Sequence, residues 1–294
     1  MTRTIVIAGG TTGMGRAIAL DRLRRGDRVV AIGRSETNAR ELAEAAAEED
    51  RRRLTFLRAD LSTLAENDRV AAEIASSHGA IDALVLCANR HNRARTTTAD
   101  GLEATFALYY LSRFLLGEAL REQLADGGGV VVNVAAPGIK AGSVRWDDLQ
   151  FERGYRGLKA QLQAGRLNDL LGVGFAAAHG ADSPIRYVLF HPGFTRSGTA
   201  SLSPPARTLI RLLGAVAALS PARAVEPILP LLDDPPHAPL TAIDRGRPVS
   251  LDLPTFDPGD ARRLRALTEE LVSRLRQRGC YSIATPTEAV NQAT

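Results

Sequence analysis

Cysteine is nearly absent: Cys87 and Cys280 are the only two in 294 residues. Two thiols make no disulfide framework, and they fit a reducing compartment. Lysine is as scarce. Lys140 and Lys159 are the only two lysines, so arginine carries the basic excess, 37 cations against 33 acids. Those arginines are scattered among acids, apart from Arg51-Arg52-Arg53 and an amphipathic stretch at 262–278. Such spacing reads as solvated faces and excludes a nucleic-acid footprint. No apolar run approaches the roughly 20 residues that cross a bilayer; the longest candidate, Leu212–Leu219, is far too short. Arg3 is followed at once by a core-strand pattern, which leaves no room for a secretory h-region. A cytoplasmic protein without a membrane span is therefore expected. The five histidines and two cysteines show no ligand spacing, so no metal site is expected. A GxSxG elbow is also missing.

What is present concentrates in residues 4–34, TIVIAGGTTGMGRAIALDRLRRGDRVVAIGR. Thr4–Ala8 is a β-branched run, the pattern of a buried strand. A glycine turn follows, with Gly9, Gly10, Gly13 and Gly15. Met14, Ala17, Ile18 and Leu23 then recur at helical spacing, and Val29–Ile32 is a second strand. This is a βαβ unit. Glycines let a diphosphate approach the backbone, and the helix that starts there offers unpaired N–H groups and a positive dipole end. Gly9, Thr11, Gly13, Met14 and Gly15 are thus candidate nucleotide contacts. The second strand ends in Gly33-Arg34-Ser35 with no acid before Glu36. An acid there would bind a ribose 2′-OH, whereas an arginine accommodates a 2′-phosphate. The sequence favours NADP(H) over NAD(H) on Arg34, with Arg16 as a second candidate.

Further on, strands are expected at Leu54–Leu57, Ile81–Cys87, Gly129–Val134 and Ile185–Phe190. Helices are expected at 37–49, up to 77, at 99–124 and from about 156 to 179. The alternation argues an α/β fold, a Rossmann-type doubly wound parallel sheet in a single domain, 1–294. Residues 1–200 form its dinucleotide-binding core. Leu240–Ile243 and Pro248–Leu251 read as a last strand or a hairpin, and Pro258–Arg278 as an amphipathic helix. The region 201–278 adds a C-terminal helical lid, with 195–235 expected to cover the substrate.

Over residues 3–200 these landmarks resemble the short-chain dehydrogenase/reductase family. Gly9-x3-Gly13-Met14-Gly15 matches its TGxxxGxG turn, with Ala8 in place of threonine. Asp60-Leu61 matches the pair that holds the adenine. Leu86-Cys87-Ala88-Asn89 falls where the family has NNAG, and only Ala88 survives. Pro192-Gly193-Phe194-Thr195-Arg196-Ser197 matches the PG segment. The resemblance implies that Pro192, Gly193, Thr195 and Ser197 lie against the nicotinamide. Trp146–Gln150 and Asp100–Glu103 are similar to the retinol dehydrogenase and protochlorophyllide reductase branch. The resemblance also implies a homodimer or homotetramer formed through the helices at 99–124 and 156–179.

The family's Asn-Ser-Tyr-Lys set reduces carbonyls by general acid catalysis and oxyanion stabilisation. Here its asparagine position holds Tyr109 and its serine position holds Ala136. A literal YxxxK exists at Tyr155 and Lys159, a shifted acid and its partner, or else Tyr155 is a structural tyrosine and the usual set is gone. The alternative register puts the pair at Leu162 and Arg166, or at Gln161 and Gly165, and Arg166 then binds the nicotinamide ribose. Tyr109 or Tyr110 is a replacement acid, or both are core aromatics. Two functions follow. One is an NADP(H)-dependent oxidoreductase with a non-standard proton donor, acting on a bulky apolar carbonyl, alcohol or conjugated double bond. The other is a nucleotide-binding descendant without redox activity, serving as a sensor, a scaffold or a non-redox enzyme.

Overall fold

The computed structural model describes residues 2–179, 183–193 and 220–282. Eight strands form one sheet in the order β3-β2-β1-β4-β5-β6-β7-β8. They are β1 Thr4–Ala8, β2 Arg28–Gly33, β3 Leu54–Arg58, β4 Ala83–Leu86, β5 Val130–Val134, β6 Arg186–His191, β7 Leu240–Asp244 and β8 Arg247–Pro248. All neighbours pair parallel except β7 and β8. Arg245 and Gly246, with φ of 49° and 77°, turn between those two. A two-residue hairpin with both central φ angles positive matches the twist of its strands.

Successive side chains of a strand face opposite ways, so a sheet covered on both sides needs apolar residues at every position. Val6 and Ala8 join one core, and Ile5 and Ile7 the other. The first core lies under α4 (Leu64–Ser77), α6 (Ser112–Ala119), α8 (Gly157–His179) and α11 (Pro258–Ser282). The second lies under α1 (Gly13–Arg24) and α2 (Glu36–Ala45). The order reverses between β1 and β4, the switch point at which doubly wound sheets bind ligands.

Three expectations change. The helix over 37–49 breaks at Ala46, whose ψ of 146° is extended, and a short α3 (Glu48–Arg51) follows. The helix over 99–124 is four pieces: α5 (Ala104–Phe106), a π-turn at Ala107–Leu111, α6, and α7 (Arg121–Asp126). It starts late because Gly101, at φ 78°, belongs to a turn, and Glu103 caps the helix by accepting from the N–H groups of Thr105 and Phe106 at 2.8 and 2.7 Å. The third change concerns the lid. Residues 220–233 form α9 (Pro221–Val225) and α10 (Leu229–Asp233) and pack behind the sheet. Val225, Ile228 and Leu232 belong to the second core, and Arg3 and Arg22 clamp Asp233 at 2.9 and 2.7 Å. They do not cover the cleft. Residues 194–219, which include Thr195, Ser197 and the rest of the expected lid, lie outside the described residues.

Candidate active site

The glycine turn is folded onto β2: the N–H groups of Gly9 and Gly10 both donate to the Ile32 carbonyl, at 2.9 and 3.1 Å. Gly9 has φ 81°, which disfavours any side chain. A Cβ there would sit 2.8 Å from the Ala88 nitrogen, and a Cβ on Gly15 would run into the Gly9 carbonyl. Strand, turn and helix are therefore as close as backbone allows. The first intrahelical bond of α1 in the turn is Arg16 N–H to Thr12 O, at 3.1 Å. The N–H groups of Gly13, Met14 and Gly15 are left without intrahelical partners. All three residues line a cavity of about 510 Å³, together with Gly9, Thr11 and Ala88. A cradle that a Cβ would fill, beside orphan N–H donors, fits a dinucleotide diphosphate.

Arg34 and Leu61 line the same cavity. The Arg34 guanidinium stands 3.9 Å from the Asp60 carboxylate, both half-exposed at the strand ends. Burial pushes the Asp60 carboxyl up. Hydrogen bonds from Ser62 and the charges of Arg34 and Arg90 outweigh that and hold it below the usual aspartate range. Arg90, in the loop after β4, is a second cavity-lining cation. Arg16 is not: its guanidinium reaches over to the Glu41 carbonyl of α2, at 3.4 Å. Pro192 and Gly193 close β6, whose last residue His191 is held by Asp244 at 2.7 Å.

The YxxxK pair does not come together. Tyr155 precedes α8, so the i, i+4 face of a helix does not bring Lys159 to it. The Tyr155 hydroxyl donates to the Asn92 carbonyl at 3.1 Å and lies 3.3 Å from Glu103, which ties two loops together. Lys159 instead faces a separate hollow beside Gly142 and Phe151. Arg166 is not among the residues that line the cavity. It donates to the carbonyls of Ile139 and Gly142, at 2.9 and 3.3 Å, and straps down the loop that follows β5. Tyr110 is buried in the first core with its hydroxyl 2.6 Å from that of Thr268 on α11.

Tyr109 differs from all of these. It is 6% exposed, and among the described residues no hydrogen bond engages its hydroxyl. The Arg113 guanidinium lies over its ring, 4.4 Å from the centroid. Arg113 is itself 2% exposed and has no carboxylate partner among the described residues. It donates to Asn133 Oδ1, to the Val134 carbonyl at 2.9 Å and to the Ala88 carbonyl at 3.1 Å. Those carbonyls end β5 and follow β4, so the Arg113 guanidinium, with the Tyr109 ring against its face, sits at the carboxyl ends of these strands; Leu108, not Tyr109, lines the cavity itself. Asn133 passes the network on to Asn168 and the Tyr187 hydroxyl, both at 2.9 Å. Asn168 then donates to the Tyr109 carbonyl at 2.8 Å. The π-turn is thereby fixed from α8.

One turn along α8 from Arg166, Asp169 is 1% exposed. It accepts from the Gly138 N–H at 3.1 Å, and its Oδ1 has no partner among the described residues. Burial pushes its carboxyl up to about 7 against that hydrogen bond, the Arg166 charge and the neighbouring Thr255 hydroxyl.

Residues 3–146 match the short chain dehydrogenase family. A protein of Streptomyces sp. (strain C5), named as a daunorubicin C-13 ketoreductase, is 31% identical over 195 residues, 66% of this chain and 67% of that one. This chain belongs to the short-chain dehydrogenase/reductase family. Human retinol dehydrogenase 13 is 27% identical over 201 residues, covering 66% of this chain and 60% of that protein. The match thus spans about three fifths to two thirds of these relatives. A short-chain dehydrogenase from Streptomyces avermitilis has the same fold, with a TM-score of 0.61, 22% identity, and coverage of 97% of this chain and 98% of that one. Among the described residues no helix is long and apolar enough to cross a membrane.

Arg90, Arg113, Asn168 and Asp169 escaped the sequence reading. Two signals were available. An arginine set in Phe114-Leu115-Leu116, and Asn168-Asp169 inside Leu167–Leu171, are polar residues in apolar helical runs, which fold only if their groups find partners.

Proposed function

We propose that this chain is an NADP(H)-dependent oxidoreductase that reduces a bulky apolar carbonyl with Tyr109 as proton donor. The observation that carries this reading is the fate of the four candidate groups. Tyr110 and Tyr155 are engaged elsewhere, Lys159 faces another hollow, and Tyr109 keeps its hydroxyl free among the described residues at the strand ends. A bound reduced nicotinamide supplies a hydride to the carbonyl carbon. The N–H groups at the start of α1 hold the diphosphate. Arg34, with Arg90 across the cavity, takes the 2′-phosphate, and Asp60-Leu61 flanks the adenine. Tyr109 gives its proton to the carbonyl oxygen as charge develops there. Ala136 leaves that oxygen without the family's serine hydroxyl, so Tyr109 bears more of the stabilisation. The names of the relatives, a retinol dehydrogenase and a daunorubicin C-13 ketoreductase, agree with a bulky carbonyl or alcohol substrate. We place the enzyme in the cytoplasm.

Ala136 and the diversion of Arg166 also support the second reading, a nucleotide-binding protein without redox activity. One experiment separates them. Fluorescence titration with NADPH and NADH should show NADPH bound more tightly, and Arg34→Ala should erase the preference. NADPH oxidation is then followed with all-trans-retinal and with daunorubicin. Turnover abolished by Tyr109→Phe supports the reductase. NADPH binding without turnover of either carbonyl favours the sensor or scaffold.

A further inference from the structure

Arg113 is unusual for its position. A charge taken from water is costly unless paired, and buried arginines normally meet a carboxylate. Here the described partners are neutral: two strand-end carbonyls and the Asn133 amide oxygen. One guanidinium nitrogen, Nε, is buried with no partner among the described residues. The ionisable groups around it are Cys87 of β4, pushed up to about 12 by burial, Tyr187 of β6, pushed up by burial, and Tyr109. All three are neutral near pH 7. Burial pushes Tyr109 up as well; Arg113 on its own helix opposes that and Asp169 on α8 adds to it. Burial pulls the Arg113 guanidinium below its usual range, but arginine stays charged near pH 7, so a cation lies buried at the strand ends and the face of one tyrosine covers it.

We propose that Arg113 is a positioning residue for catalysis, the fixed charge that receives the Tyr109 phenolate when Tyr109 has given up its proton. This rests on Tyr109 being the acid. The proton moves from Tyr109 Oη to the substrate oxygen as the carbon accepts hydride from the reduced nicotinamide. The phenolate left behind spreads its charge into the ring, and water returns the proton. A cation over the ring face attracts a phenolate far more than a phenol. The Asn133–Asn168 network fixes both partners, because it holds the Arg113 guanidinium at one end and the Tyr109 carbonyl at the other. Nothing has to reorganise when the charge appears. The arrangement supplies from below the ring what a lysine beside the tyrosine supplies in the family's usual set, and it explains how Lys159 and Arg166 can both lie elsewhere.

The test reads the tyrosine itself and needs no substrate. Protein labelled with 3-fluorotyrosine is titrated by 19F NMR, with Tyr109→Phe identifying the resonance. In the unmutated chain Tyr109 should ionise at lower pH than Tyr110, which is also buried but has Thr268 in place of a cation on its face. Arg113→Gln should raise the Tyr109 midpoint by about one pH unit or more, and Arg113→Lys by less. Where either carbonyl probe is turned over, kcat should fall on the order of tenfold in Arg113→Gln with the KM for NADPH unchanged. A Tyr109 midpoint that Arg113→Gln leaves in place overturns the inference. If that variant does not fold, a Tyr109 midpoint at or above that of Tyr110 in the unmutated protein does the same. Undiminished reduction by Tyr109→Phe would instead remove the premise that Tyr109 is the acid.

Discussion

At the scale of single residues, Asp169 makes the sharpest pH prediction. Its carboxyl is pushed up to about 7 by burial, so between about pH 4 and pH 7 the folded chain holds a proton that the unfolded chain has lost. Stability contributed by the neutral acid is therefore present at low pH and lost as pH rises through this window. A shift of about three units corresponds to roughly 4 kcal/mol. Thermal melting from pH 5 to pH 8 should show a downward slope in the natural chain, flattened in Asp169→Asn; equal slopes would mean that the carboxyl is not held neutral. Gly15 makes a steric prediction. The Gly9 carbonyl stands where its Cβ would be, so Gly15→Ala has to spread turn from helix. It should cost about 1–3 kcal/mol and abolish NADPH binding, both readable by calorimetry. The adjacent tyrosines behave oppositely. Tyr110→Phe removes one buried hydrogen bond to Thr268, which keeps its bond to the Leu264 carbonyl. The loss should be about 1 kcal/mol of stability with kcat unchanged, whereas Tyr109→Phe should lose turnover with little change in melting temperature.

At the scale of elements, the helix over 99–124 shows what periodicity can and cannot see. Phe106, Leu111, Phe114 and Leu115 mark an apolar face, and the element is there. Its π-turn adds a residue to one turn, and this aims Tyr110 into the core toward α11 while Tyr109 stays at the strand ends. Pattern alone left the two tyrosines equivalent. The decision lies in Asn168, which holds the Tyr109 carbonyl from another helix. Asn168→Ala strips partners from Asn133 and from that carbonyl, both buried. It should cost about 2–4 kcal/mol, measured by urea unfolding, and lower turnover as Tyr109 shifts.

At the scale of the whole molecule, α11 bears on the expected assembly. Leu264 and Val272 sit in the first core beside Phe114 and Phe175, and Arg265 pairs with Glu118 of α6 at 2.8 Å. Farther along, Arg276 reaches Asp68 of α4 at 2.7 Å. The chain's own C-terminal helix thus packs against α8 and beside α6, the helices expected to pair two copies. Sedimentation should give a species near the chain mass of 31.4 kDa. A dimer dissociated by substitutions on the outer face of α8 would contradict this.

The sequence by itself determined the sheet, the glycine turn, the cavity at the end of β1 and the strand-end position of Arg34. Each follows from a local rule: β-branched runs between punctuating glycines, a turn too tight for side chains, and alternation that forces parallel strands. Only the tertiary structure decided which polar groups meet. Tyr155 and Lys159 have the spacing of a pair but lie on either side of a helix start. Tyr109 and Arg113 are four apart on one helix, but Asn133 and Asn168 share no spacing with them, and only the packing of three elements ties all four together. Local spacing fixes contacts inside an element; contacts between elements are fixed by packing, and the candidate catalytic group depends on the second.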